Sequence, residues 1–250
     1  MNEKPCIDRI LNRLDEYLSK NDYAGAQRHL LYWLEDARAT KNDRVELPVL
    51  NELIGLYRKL GKEKEALECA DKALLKIEQM GIENQIGSAT TYLNVATAYK
   101  AFGMAKKSLP VFERAQKIYE RDLPENDSRL GGLYNNMALA LVDEGMLDRA
   151  YELYNKAIKV MGSSKAGALE MAITYLNIAS AKEAELGLEM ADEQIQKNLD
   201  TARTLLDNYE QRNGYYAFVC EKCASVFGYY GHFIYEEELK DRARRIYEGN

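Results

Sequence analysis

The chain has 250 residues, with 34 Lys+Arg against 40 Asp+Glu for a net charge of −6, and a hydrophobic fraction of 46%. That apolar content excludes wholesale disorder, and the acidic balance offers no electrostatic footprint to a nucleic-acid backbone, so nucleic acid is not an expected partner. Four prolines against 30% charged residues favour long helices, because proline breaks helix and sheet ladders alike and helix surfaces carry charge.

The first residues, Met1 to Cys6, lack the basic stretch and apolar run of a secretory signal. No window reaches the roughly 18 apolar residues that would span a bilayer, so a cytoplasmic protein without a membrane segment is expected. A helical pattern opens near Ile7 and turns at Asn21, and Trp33 then stands where later units carry alanine, read as a plug over the open end of the core. From there a period emerges. Gly61, Gly103, Gly145 and Gly187 follow at intervals of 42 and Gly231 comes 44 later, each closing an apolar helical pattern as a left-handed residue can. Ala73, Ala115 and Ala157 keep the same step, and Ala202 and Ala243 extend the row.

Upstream of the glycines, Tyr92 to Ala96, Tyr134 to Ala138 and Tyr175 to Ala179 align as aromatic, apolar and small at helical spacing, with Tyr57 and Tyr99 completing the apolar face of their helices. Each unit is a helix, a tight turn and a helix. The prolines agree with this: Pro5 and Pro48 start first helices, Pro110 falls in the first turn of a second helix, and Pro124 lies between units. Leu199 and Ala202 come later than the spacing requires, which predicts longer helices in that unit. Glu236 and Lys240 leave Tyr235, Leu239, Ala243 and Ile246 as a one-sided stripe, the pattern of a polar-faced cap.

These residues resemble the tetratricopeptide repeat, with the 42-residue period of the longer variant found in kinesin light chains rather than the basic unit of about 34. The resemblance implies an all-α, right-handed superhelical solenoid of antiparallel helix pairs. About six repeats, 7–46, 47–88, 89–130, 131–171, 172–216 and 217–250, would form one domain over residues 1–250. It also implies a concave groove lined by the first helices that binds a protein or peptide segment. Groove positions flanking the buried pair hold Asn12, Asp15, Asn51, Arg58, Asn94, Thr97, Lys100, Asn135, Asn136, Asn177, Ser180, Glu183, Lys222 and Ser225. Asn94, Asn136 and Asn177 occupy one place in three successive units. An amide is donor and acceptor at once, so such a column can pair with an extended backbone whatever its sequence; in the kinesin light-chain repeats Asn at this place is associated with backbone binding. The same amides could instead brace neighbouring repeats. The Lys and Arg set of a chaperone-tail carboxylate clamp is absent.

Sharper chemistry is poorly provided. Cys220 and Cys223 fall at buried register sites, and His232 is too far along the chain to complete a metal site with them; together with Cys6 and Cys69 they are expected as free thiols, with no metal and no cofactor. Two histidines and the absence of a phosphate loop or nucleophile elbow argue against an enzyme, a helical-toroid hydrolase being the least favoured alternative. The other alternative is a peptide-sensing regulator that acts through a partner. The last unit is aromatic, with Tyr215, Tyr216, Phe218, Phe227, Tyr229, Tyr230, Phe233 and Tyr235; periodicity puts half of these in the core, and the rest are either wet-ended core or a surface for a homo-oligomer.

Overall fold

The computed structural model describes residues 7–249 and divides into two compact units, Met1–Asp122 and Leu123–Asn250. Pro5 and Cys6 lie outside the described residues. Unit one comprises α1 (Ile7–Leu18), α2 (Tyr23–Ala39), α3 (Asp43–Lys59), α4 (Glu63–Met80), α5 (Ile86–Ala101) and α6 (Ala105–Asp122). Unit two comprises α7 (Ser128–Asp143), α8 (Leu147–Met161), α9 (Ala168–Leu186), α10 (Leu188–Asp207), α11 (Gly214–Tyr229) and α12 (Phe233–Tyr247). Among the described residues there is no strand, and no helix is long and apolar enough to cross a membrane.

The fold is an all-α repeat of antiparallel helix pairs, and one backbone device closes five of the six pairs. The N–H of the residue after the turn reaches back to a carbonyl five positions earlier in the first helix: Asp22 to Tyr17 (2.9 Å), Lys62 to Tyr57 (2.9 Å), Met104 to Tyr99 (2.9 Å), Met146 to Leu141 (2.8 Å) and His232 to Phe227 (2.9 Å). The bond needs a left-handed residue between, supplied by Gly61, Gly103, Gly145 and Gly231, and in the first pair by Asn21 at φ 54°. The pair α9/α10 differs. It turns on Gly187 alone, at φ 78° and ψ 160°, and its helices run 19 and 20 residues, the lengthening that Leu199 and Ala202 suggest.

The second helices explain the period of small residues. Ala66, Ala70 and Ala73 in α4, Ala115 in α6, Ala150 and Ala157 in α8, Ala191 and Ala202 in α10 and Ala243 in α12 are all fully buried, so helix axes approach closely while Tyr92, Tyr99, Tyr119, Tyr154 and Phe112 fill the space between. Trp33, at the register of Ala73, is only half-buried and packs edge-on to His29 and Tyr32.

Two expectations need correction. Pro48 and Pro110 are each the sixth residue of their helix, inside α3 and α6 rather than at the start or in the first turn. The helices begin earlier than apolar spacing suggests because their opening residues, such as Asp43 and Arg44, are polar and exposed or half-buried. The carbonyls that the missing N–H groups would have bonded belong to exposed Arg44 and Lys106, where water can satisfy them. The helices α3, α5, α7, α9 and α11 start three or four residues ahead of the repeat boundaries inferred from the buried pattern. Charge also ties successive pairs. Buried Glu46 of α3 accepts from Arg38 of α2 (2.9 Å) and Lys76 of α4 (2.8 Å); burial raises its pKa, but the two cations outweigh it and hold the carboxyl below its ordinary value. In unit two, Asp207 of α10 accepts from Arg242 (2.7 Å) and Tyr235 (2.8 Å) of α12.

Candidate ligand-binding face of the first helices

Along each first helix the buried small or branched residue fixes which neighbours face outward. Two residues before Ala96, Ala138 and Ala179 stand Asn94, Asn136 and Asn177, and two before Ile54 stands Glu52. In unit one, Asn94 Nδ2 donates to Asn51 Oδ1 at 3.0 Å, joining α5 to α3. In unit two, Asn177 Nδ2 donates to Asn135 Oδ1 at 2.9 Å, joining α9 to α7. The two bonds are equivalent: an amide at one register meets an amide one register position earlier in the preceding repeat. Asn135 is buried, Asn51, Asn94, Asn136 and Asn177 are half-buried, and the Asn136 side chain bonds to none of the described residues.

The remaining groove candidates fall into two groups. Thr97 and Ser180 turn their hydroxyls back onto their own helices, at Leu93 (2.7 Å) and Leu176 (3.3 Å). Glu183 is held by two phenols of α11 and the turn after it, accepting from Tyr229 (2.7 Å) and Tyr230 (2.8 Å), so the aromatic end of the chain partly serves to orient one carboxylate. Asn12, Asp15, Arg58, Lys222 and Ser225 are exposed and Lys100 is half-buried. Two carboxylates that sequence reasoning passed over have shifted pKa values. Glu52 is pushed up by burial and then by the neighbouring Asp15 charge; Glu170 is pushed up by burial, with Lys222 pulling the other way. The register of Glu52, shared with three asparagines, was the available signal for it.

The cysteines behave as core. Cys220 and Cys223 are buried in α11 and burial pushes each thiol up to about 12, while Cys69 is pushed to about 11. Among the described residues no group of His, Cys, Asp and Glu could hold a metal ion. His232 bonds Gln196 (2.9 Å) and sets its ring edge against Phe227. A cavity of 330 Å³, lined by Lys165, Ala168, Thr204, Tyr209 and Gln211 among others, holds one carboxylate, Glu210. A shallower groove of 590 Å³ along α10 holds Glu193 and Asp200, both exposed and two helical turns apart. Neither is a dry pocket with two converging carboxylates, the arrangement glycoside hydrolysis needs.

Family models of the tetratricopeptide repeat match residues 46–121 and 132–160. Among solved structures, BtubC (BKLC) from P. vanneervenii is similar over 82% of this chain and 82% of its own, with a TM-score of 0.66 at 18% identity. A Rap protein complexed with competence and sporulation factor is similar over 99% of this chain and 66% of its own, with a TM-score of 0.63 at 16% identity. No match was found among curated proteins. At these identities the likenesses concern the fold.

Proposed function

We propose that this tetratricopeptide-repeat protein is a non-catalytic scaffold that holds an extended protein or peptide segment against its first-helix faces, with asparagine amides gripping the ligand backbone. The observation that carries the proposal is the incomplete use of those amides. Each asparagine offers two donors and an acceptor oxygen with two lone pairs. The bond between Asn94 and Asn51 occupies one donor and one lone pair, as does that between Asn177 and Asn135, and the Asn136 side chain bonds to none of the described residues. Bracing and binding therefore coexist on the same residues. Thr97, Ser180 and Glu183 would form the walls of this surface, and Arg58 and Lys100 would supply its cationic groups. Buried free thiols at Cys69, Cys220 and Cys223 support a reducing, cytoplasmic setting. A second reading, a regulator that senses a peptide and passes its output through a partner, is supported by the fold shared with the Rap protein solved in complex with competence and sporulation factor.

The test begins with selection of binding peptides from a displayed random library on the immobilised full chain, followed by titration calorimetry. At about 1 kcal/mol for each amide contact removed, Asn94→Ala/Asn136→Ala/Asn177→Ala should weaken a selected peptide roughly 100-fold. A circular-dichroism melt establishes that the variant folds. An unchanged affinity in the folded variant would assign the amides to bracing alone and remove the first-helix face as the site.

A further inference from the structure

Two turns of unit two break the rule that turns are polar, whereas the turn at Gly145 carries Asp148 three residues after its glycine. Met190 and Ile234 each stand three residues after a turn glycine, Gly187 and Gly231, and are 78% and 89% exposed. Leu188 and Phe233 beside them are 53% and 67% exposed, and Leu186 is 42% exposed. The same register position in unit one is Lys64 after Gly61 and Lys106 after Gly103, the residues water would favour. The two apolar turns are neighbours on one edge: His232 bonds Gln196 of α10 at 2.9 Å, and Tyr229 and Tyr230 bond Glu183 near the end of α9. Five large apolar side chains thus stand exposed on these two neighbouring turns, Met190 and Ile234 almost wholly outside the core, the kind of clustering that marks an interaction site.

The charge around this surface says what covers it. Acidic residues repeat in register with the apolar ones: Asp192 and Glu236 five residues after the glycines, Glu193 and Glu237 six after. Lys240 pairs with Glu236 and Glu237, but no cation among the described residues pairs with Glu189, Asp192 or Glu193. The asymmetry extends to the whole unit. Residues 123–250 carry 14 Lys+Arg against 21 Asp+Glu, whereas residues 1–122 carry 20 against 19. We infer that this edge is a second docking surface, separate from the first-helix face, and that its occupant is a basic amphipathic segment of another protein. The segment's apolar face would lie on Met190, Ile234, Leu188 and Phe233 while its lysines or arginines meet the acidic rim. A second copy of this chain fits worse. Its own edge repeats the negative charge, and the lysine-bearing turns of unit one present no exposed large apolar side chain, Lys62 and Lys107 lying instead over Tyr57 and Tyr99.

The probe is a fluorescent amphipathic helical peptide of leucine and lysine. Its controls are a peptide of the same composition with leucines scattered round the helix and one with glutamate in place of lysine. By fluorescence anisotropy with the full chain, the amphipathic lysine peptide should bind at least tenfold more tightly than either control. Met190→Gln/Ile234→Gln, at positions too exposed to disturb folding, should cost tenfold or more. Glu189→Gln/Glu193→Gln should flatten the salt dependence, and Asn94→Ala/Asn136→Ala/Asn177→Ala should change nothing, which separates this surface from the first-helix face. Equal binding of the three peptides, or unchanged binding by Met190→Gln/Ile234→Gln, would overturn the inference. So would a light-scattering mass of twice the chain that falls to the monomer in Ile234→Gln, which would give the edge to a second copy.

Discussion

Removing one oxygen atom should make this protein more stable. Tyr154 of α8 is fully buried, and its hydroxyl has no hydrogen-bond partner among the described residues. Burial pushes its phenol pKa up, the charges of Asp143 and Tyr151 adding to the effect. A hydroxyl taken from water without a replacement partner costs about 1–3 kcal/mol. Tyr154→Phe lifts that cost and gives up only the dispersion contacts of a single atom, at about 0.1–0.2 kcal/mol each and under about 1 kcal/mol together. The net expectation is a gain of about 1–2 kcal/mol, a rise of roughly 2–8 °C in the melting temperature of a chain this long. Tyr119→Phe supplies the contrast, because its hydroxyl shares a 2.7 Å hydrogen bond with Thr90 and its removal should cost about 1 kcal/mol. Urea unfolding followed by far-ultraviolet circular dichroism measures both. A Tyr154→Phe midpoint below wild type would refute the reasoning, since it would mean that the hydroxyl is satisfied, for instance by a trapped water.

Other perturbations separate further physical causes. Gly187 occupies a backbone region open essentially to glycine alone, whereas Gly81 is left-handed at φ 64° and ψ 35°, so Gly187→Asn should cost about 1–3 kcal/mol while Gly81→Asn costs well under 1 in the same urea assay. A double-mutant cycle on Asn51→Ala and Asn94→Ala should return a coupling of about 0.5–1.5 kcal/mol; a coupling near zero would mean that the amide bond braces nothing. In a Cys6→Ser background the thiols of Cys69, Cys220 and Cys223 should resist Ellman's reagent at pH 8 until the chain is unfolded, because burial holds them protonated as well as inaccessible. Burial raises the phenols of Tyr151, Tyr154, Tyr230 and Tyr235 above the unfolded value of about 10, so the folded state resists their ionisation: their titration leaves stability unchanged below about pH 10 and lowers it as pH rises beyond it. The urea midpoint should fall over that range, and fall less in Tyr154→Phe.

The repeat was legible because its cause is local. A turn that needs a left-handed residue selects glycine, and two close helices select alanine, so both leave marks at a fixed step. Lys41 shows the limit: it takes φ 52° because the Asn42 N–H bonds the Ala37 carbonyl at 2.7 Å, and nothing in a lysine announces that. The proline positions were misjudged for a related reason, since polar opening turns leave no apolar trace of where a helix begins. In the candidate site, spacing aligned Asn94 with Asn136 and Asn177, but the bonds run from Asn94 to Asn51 and from Asn177 to Asn135. Side chains lean along their own helix and meet a neighbour at an offset register, which a one-dimensional period does not contain.

The two kinds of connection in this chain have different consequences for how it can change length. Within pairs the links are short and hydrogen-bonded throughout, from a single residue at Gly187 to residues 19–22. An added residue there would rotate the following helix by about 100° and swing its alanine stripe out of the core. Between pairs the links vary, from residues 40–42 to residues 162–167 and 208–213. Insertions, affinity tags and new chain ends should therefore be accepted in the longer links between pairs, residues 162–167 and 208–213, and rejected in the links within pairs and in residues 40–42, which close on the same backbone bond, and relatives that have drifted in length should have drifted in the longer links.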